Sequence, residues 1–168
     1  WIESVTARSP DGFLAYKRAA ESGLMNQGWK DSHDAVFHAD GRLASGPIAL
    51  VEVQGYVYAA LLGMAELAGL RGESQQAAEW ADSAARLRAA VEERFWLEEL
   101  GFYAMALDGD GRPCAVRTSN AGHLLFVGLP SPERARLVIE HLLSGRLNSG
   151  WGVRTLARDE VTFNPMSY

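Results

Sequence analysis

Between Ile48 and Leu70 apolar side chains recur on every side of a would-be helix, at Val51, Val53, Tyr56, Val57, Leu61, Leu62 and Leu67, with only Gly55 and Gly63 intervening. A helix apolar around its whole circumference is a buried one. This stretch opens with Pro47 at a first-turn position and closes at Ala-Gly-Leu-Arg-Gly, so it is expected to lie inside the fold on most sides. From Glu73 to about Leu97 the pattern changes. Ala77, Ala81, Ala84, Ala85, Leu87 and Val91 alternate with Glu79, Asp82, Arg86, Arg88, Glu92 and Glu93, which predicts an amphipathic, half-exposed helix. A buried helix joined to an amphipathic one by a tight turn is an αα-hairpin, the unit of bundles, helical solenoids and α/α toroids. The alternation recurs downstream. A short apolar helix is expected from Asn120 to Leu129, stopped by Gly128 and Pro130, and Ser131-Pro132 has the form of a cap and first-turn proline for a helix over Glu133 to Leu143. Phe102 to Leu107 and Cys114 to Thr118 flank Asp-Gly-Asp-Gly-Arg-Pro and predict a small β-hairpin. Residues 11 to 21, with Phe13, Leu14, Tyr16 and Lys17, read as the end of a helix closed by Gly23. The fold class is therefore all-α with a small β-hairpin.

Composition narrows the function classes. The 168 residues are 48% hydrophobic and 22% charged, enough for one domain with a sizeable core. A formal net charge of -5, with no basic block, argues against nucleic acid or an anionic membrane as partner and favours neutral or polar ligands. The lone Cys114 rules out an internal disulfide framework and a cysteine-only zinc site, in keeping with a reducing compartment. No apolar stretch is expected to span a membrane and no signal-peptide pattern opens the chain, so a cytoplasmic location is the default expectation. The chain starts at Trp1 and stops within Asn-Pro-Met-Ser-Tyr, and is expected to be a piece of a larger domain, cut at both ends.

The candidate chemistry concentrates in Asn26 to Asp34, where amides (Asn26, Gln27), an indole (Trp29), an ammonium (Lys30) and carboxyls (Asp31, Asp34) crowd around Gly28. An indole face covers the C–H face of a pyranose, amides and charges bond its hydroxyls, and a carboxyl held in such a pocket can protonate a glycosidic oxygen. Asp31 is the candidate acid, with burial against Trp29 expected to raise its pKa, and Asp34 is its rival; either could equally cap a turn. Glu52 and Gln54, two apart at the start of the buried helix, point about 200° from one another, so at least one should reach a cavity or bond neighbouring loops. Asn120 and His123 stand at the loop end of the next apolar helix, as ligand contacts or as core polar groups. Trp151 and Arg154 lie in a glycine-rich loop, where an indole platform and a guanidinium could hold a sugar or pair internally. The histidines His33, His38, His123 and His141 lack metal-ligand spacing, and no P-loop or dinucleotide fingerprint occurs, so neither metal nor cofactor is expected.

Five ordered segments carry a family resemblance: Asn-Gln-Gly-Trp-Lys-Asp-Ser (26–32), Pro-Ile-Ala-Leu-Val-Glu-Val-Gln-Gly-Tyr-Val-Tyr-Ala-Ala (47–60), Ser-Asn-Ala-Gly-His-Leu-Leu (119–125), Ser-Gly-Trp-Gly-Val-Arg-Thr-Leu (149–156) and Asn-Pro-Met-Ser-Tyr (164–168). Together they resemble the catalytic domain of bacterial amylo-alpha-1,6-glucosidase or glycogen-debranching-like glycoside hydrolases. The resemblance implies an (α/α)6 barrel, an inverting mechanism, and an oligosaccharide or glucoside as the partner. It implies Asp31 as general acid, with Trp29, Lys30, Glu52 and Gln54 lining the sugar subsite. The general base is expected to be a glutamate downstream of Tyr168. Inversion needs that second carboxylate, about 6.5 to 9.5 Å from the acid, so the segment alone is expected to be inactive. With roughly two and a half helical hairpins of the six in such a barrel, the toroid should stay open and expose inner-helix apolar surface. The alternatives are a noncatalytic α/α scaffold or carbohydrate-binding module, and an (α/α)6 enzyme of other chemistry such as an epimerase or phosphorylase.

Overall fold

The computed structural model describes residues 1–6, 9 and 11–166. In chain order the elements are α1 (Ile2–Thr6), β1 (Ala49–Leu50), α2 (Val51–Leu70), α3 (Ser74–Arg94), β2 (Trp96–Leu97), β3 (Phe102–Tyr103), β4 (Ala106–Leu107), α4 (Asn120–Phe126) and α5 (Pro132–Leu143). Helices dominate, and two small antiparallel sheets pair β1 with β4 and β2 with β3. The αα-hairpin is present as α2 and α3. Its turn is a Schellman motif: Gly72 takes φ +79°, its N–H donates to Gly69 O at 3.0 Å, and the Glu73 N–H donates to Ala68 O at 2.9 Å. Ser131 caps α5 as expected, its hydroxyl accepting from the Arg134 N–H at 3.3 Å.

Five expectations need correction. Residues 11 to 21 form no helix; the segment is extended, with Tyr16 and Ile48 exchanging N–H···O bonds of 3.0 and 2.8 Å. Pro47 does not open α2. It follows a cis bond from Gly46, and Ala49 and Leu50 are drawn into a strand beside Leu107 and Ala106 before the helix begins. That pairing also explains why the expected β-hairpin is short. Its turn forms, with the Asp108 carboxylate accepting from the N–H groups of Asp110 and Arg112 at 2.9 Å each, but the ladder stops after a bridge between Leu107 and Pro113. Finally, α2 is buried around its circumference only in its first turns, at Val51, Glu52, Gln54, Gly55, Val57 and Tyr58. Farther on, Leu62, Met64, Leu67 and Leu70 are exposed, because α3 covers one flank and α4 reaches only as far as the close approach at Gly55. The expected apolar inner-helix surface is thus present. By length and composition this 20-residue helix, mean hydropathy 1.2, is apolar enough to cross a membrane, which corrects the expectation that no stretch would be.

Two cores hold these parts. The larger joins α2, α3, α4 and α5 through Val51, Tyr58, Val91, Phe95, Tyr103, Leu124 and Val138. At its edge Arg134 lies over the Trp96 ring, 4.6 Å from its centroid, and pairs with Glu92 and Glu98. Glu92 also accepts from Tyr103 Oη and from the Ser131 N–H, at 2.9 Å each. The smaller core, Val36, Phe37, Ile48, Leu50, Met105, Ala106, Cys114 and Val116, lies under the polar loop at residues 26–34. Burial pushes the Cys114 thiol up to about 12, so it acts there as an apolar side chain.

Candidate functional site

The polar loop is fixed from inside. Asn26 is buried, donates from Nδ2 to Ser32 O at 2.7 Å and accepts from Tyr16 Oη at 2.7 Å, closing the loop on itself. Gly28 then presses on the start of α2. A Cβ there would sit 2.3 Å from Leu50 Cδ1 and 3.3 Å from Glu52 Oε1, so any larger residue would have to push the buried Leu50 side chain aside. Beyond it the Lys30 side chain is buried, and its Nζ donates to Thr155 O at 2.6 Å while lying 5.2 Å from the Trp29 ring centroid. One ammonium therefore ties the loop to the segment that follows the glycine-rich turn, and braces the indole from below.

Glu52 and Gln54 both point inward, contrary to a helix with one inward face, because the first turns of α2 are surrounded. Gln54 is fully engaged: Nε2 donates to Leu14 O and Leu50 O, and Oε1 accepts from the Leu14 N–H, all at 2.9 Å. It clamps the extended segment and has no group left for a sugar, so the internal alternative holds for it. Glu52 is only 1% exposed, and neither of its carboxyl oxygens has a hydrogen bond of ordinary geometry. Desolvation raises its pKa, opposed by the approaching Asn120 amide and the Lys30 charge. The same burial lowers Lys30 to about 8, with Glu52 working against the shift. Asn120 is buried beside them, its Oδ1 also without a partner.

Above this buried pair stands a half-open ring platform. Tyr56 Oη and His123 Nδ1 are 2.6 Å apart, and the His123 ring is 5.7 Å from that of Tyr56 and 5.9 Å from that of Trp29. Burial, and then the Lys30 charge, lowers the His123 pKa, so the imidazole is neutral near pH 7. Beside the platform opens a cleft of about 730 Å³, lined by Lys30, Ser32, Asp34, Thr118, Arg154 and Arg158 among others. Three cations face one carboxylate in that set. Arg154 Nη1 and Ser119 Oγ are buried without a partner.

The expected site residues divide accordingly. Trp29, Lys30, Glu52, Asn120 and His123 are brought together, and Arg154 lines the same cleft as Lys30. Asp31 is flanked by two cleft residues, Lys30 and Ser32, but its side chain is exposed, so the expected burial against Trp29 is absent among the described residues. Gln27 is exposed, and Trp151 is 100% exposed at the tip of the turn closed by Ser149 and Gly152. An indole without contacts there forms no wall for Asp31. Tyr56, Thr155 and Arg158 escaped sequence reasoning. Tyr56 read as part of an apolar stripe, and its spacing from His123 across two helices left no local signal. Of the fifth motif block, Asn164, Pro165 and Met166 are described, with Asn164 Oδ1 accepting from the Met166 N–H at 2.9 Å; Ser167 and Tyr168 lie outside the described residues.

Comparison with known proteins places this geometry. The model of the mannosylglycerate hydrolase MGH1-like glycoside hydrolase domain matches residues 2–168. A solved structure titled "Sialidase" superposes with a TM-score of 0.70 at 18% identity, over 99% of this chain and 15% of its own. An uncharacterized conserved protein from Thermus thermophilus superposes with a TM-score of 0.59 at 26% identity, over 72% of this chain and 29% of its own. The chain thus spans less than a third of either matched structure. No curated protein matches it.

Proposed function

Because the chain belongs to the mannosylglycerate hydrolase MGH1-like glycoside hydrolase family, an all-α segment of the α/α toroid type, we propose that it carries the acid half of an inverting glycosidase site. In this reading Asp31 gives its proton to the departing glycosidic oxygen as the C–O bond breaks. Water, losing its proton to a glutamate outside residues 1–168, forms the new bond to the anomeric carbon from the opposite face. Trp29 covers the apolar face of the sugar, and His123 and Lys30 fix the platform.

The carrying observation is the cleft beside Asp31, where Lys30, Arg154 and Arg158 outnumber Asp34. Such a charge set suits a substrate whose leaving alcohol bears a carboxylate, as the glycerate of mannosylglycerate does, with Arg154 able to grip it through two parallel N–H bonds. The five motif blocks support a second reading, alpha-1,6-glucosidase action on a neutral glucan, which leaves those cations without a substrate partner. Hydrolysis of mannosylglycerate and of an alpha-1,6-linked glucan by the whole protein would separate the two. Asp31→Asn should retain ligand binding and lose about 10² to 10⁴ of turnover; undiminished turnover would remove Asp31 from the mechanism.

A further inference from the structure

Tyr56 and His123 come from different helices, α2 and α4, and meet at a single short contact of 2.6 Å between a phenol and Nδ1. We propose that Tyr56 is a positioning residue of the glycosidase site: its hydroxyl donates to His123 Nδ1, which fixes one ring orientation and leaves Nε2–H as the donor offered to a ligand oxygen. This assignment rests on the glycosidase reading for its ligand, and on the side-chain geometry alone for its tautomer.

Several observations converge on it. Tyr56 is 43% exposed on a helix whose first turns are otherwise buried, so it is held at the site's surface and not in the core. Its ring forms a continuous edge-to-face and tilted series with those of His123 and Trp29, at 5.7 and 5.9 Å, which leaves the imidazole little freedom to rotate. Burial and the Glu52 charge raise the phenol pKa, so the hydroxyl keeps its hydrogen, and a neutral imidazole accepting at Nδ1 must carry its own on Nε2. Among the described residues His123 Nε2 has no hydrogen-bond partner. The two helices are kept at this separation by Gly55, where a Cβ would lie 2.9 Å from Leu124 Cδ2 and 3.3 Å from Val127 Cγ2. The contact is therefore set by helix packing, which a flexible surface pair would lack.

The test is 15N-detected NMR of the histidine rings in the whole protein, with His123 assigned through His123→Gln. In the wild type, Nδ1 should show an acceptor-type shift and Nε2 a protonated one, with contacts from the imidazole to the Trp29 indole. In Tyr56→Phe, which keeps the ring packing, the Nδ1 shift should move and those contacts should weaken while the fold, followed by circular dichroism, persists. A protonated Nδ1 in the wild type, or a spectrum indifferent to Tyr56→Phe, overturns the proposal. Titration with mannosylglycerate adds a second arm. His123 Nε2 should move on addition, and Tyr56→Phe should weaken binding about three- to tenfold; His123→Gln, which keeps a donor near the Nε2 position, should retain more affinity than His123→Ala. Movement elsewhere in the site with Nε2 unmoved overturns the ligand role. If no resonance moves while the tautomer is fixed by Tyr56, the glycosidase reading fails for this chain and the positioning of His123 by Tyr56 stands.

Discussion

Raising the pH should stabilise this protein through Lys30, and the size of the effect follows from its burial. Desolvation brings the ammonium from 10.5 to about 8. Below the folded value both states hold the proton, and the native protein carries the full penalty of a buried charge. Between about 8 and 10.5 native Lys30 is neutral while the unfolded chain still binds the proton, so stability rises with pH across that window. At about 1.4 kcal/mol per unit, the gain between about pH 7 and pH 10 is roughly 2.5 kcal/mol. Acids whose pKa burial raises work the other way, Tyr56 and Tyr103 among them. Burial takes Tyr16 from 10.0 to about 12 and Cys114 from 9.0 to about 12, so their unfolded forms ionise first and stability falls as pH passes those unfolded values. The wild-type curve alone mixes these effects. Urea unfolding of wild type and of Lys30→Met at each pH removes the shared part, and the difference between them should change by about 2 to 3 kcal/mol in favour of the wild type on going from neutral to alkaline solution. The lost bond to Thr155 O shifts the offset of that difference and leaves its slope. The sequence has two lysines, Lys17 and Lys30, so lysine-selective 13Cε labelling reads the titration directly. A difference curve flat with pH, or a Lys30 midpoint at the ordinary lysine value of about 10.4, would refute the argument that this ammonium is desolvated.

Two stability predictions test the scaffold around the site. Arg134→Ala should destabilise by about 2 to 3 kcal/mol in urea unfolding, since it strips the Trp96 ring of its cation and leaves the half-buried Glu92 without its main partner; a change below about 0.5 kcal/mol would show that the network contributes little. Gly109→Ala should lose about 2 kcal/mol or more, because a Cβ there would lie 2.6 Å from Gly46 O and 2.8 Å from Gly46 C, backbone that cannot swing aside; an unchanged melting temperature would contradict that contact.

The helices α2, α3 and α5 and the turn at Asp108–Arg112 were legible in the sequence, because period, capping and turn chemistry are local properties that a stretch carries wherever it folds. The polar loop was legible as well, since its residue types announce their chemistry. Residues 11 to 21 were misread because their apolar positions fit a short helix equally well; the choice was made by Gln54 and Ile48, which offer their hydrogen bonds from far along the chain. The hydrophobic pattern alone marked α2 as buried, but which turns are covered depends on where α3 and α4 lie. The same holds at the site. That Lys30 reaches Thr155, that Glu52 is left without a bond, that Tyr56 meets His123, and that Asp31 and Trp151 stay in solvent are all matters of distance between segments. Residue type and spacing along one chain fix what a side chain can do; burial and partners, which set its charge and orientation, exist only once the chain is packed.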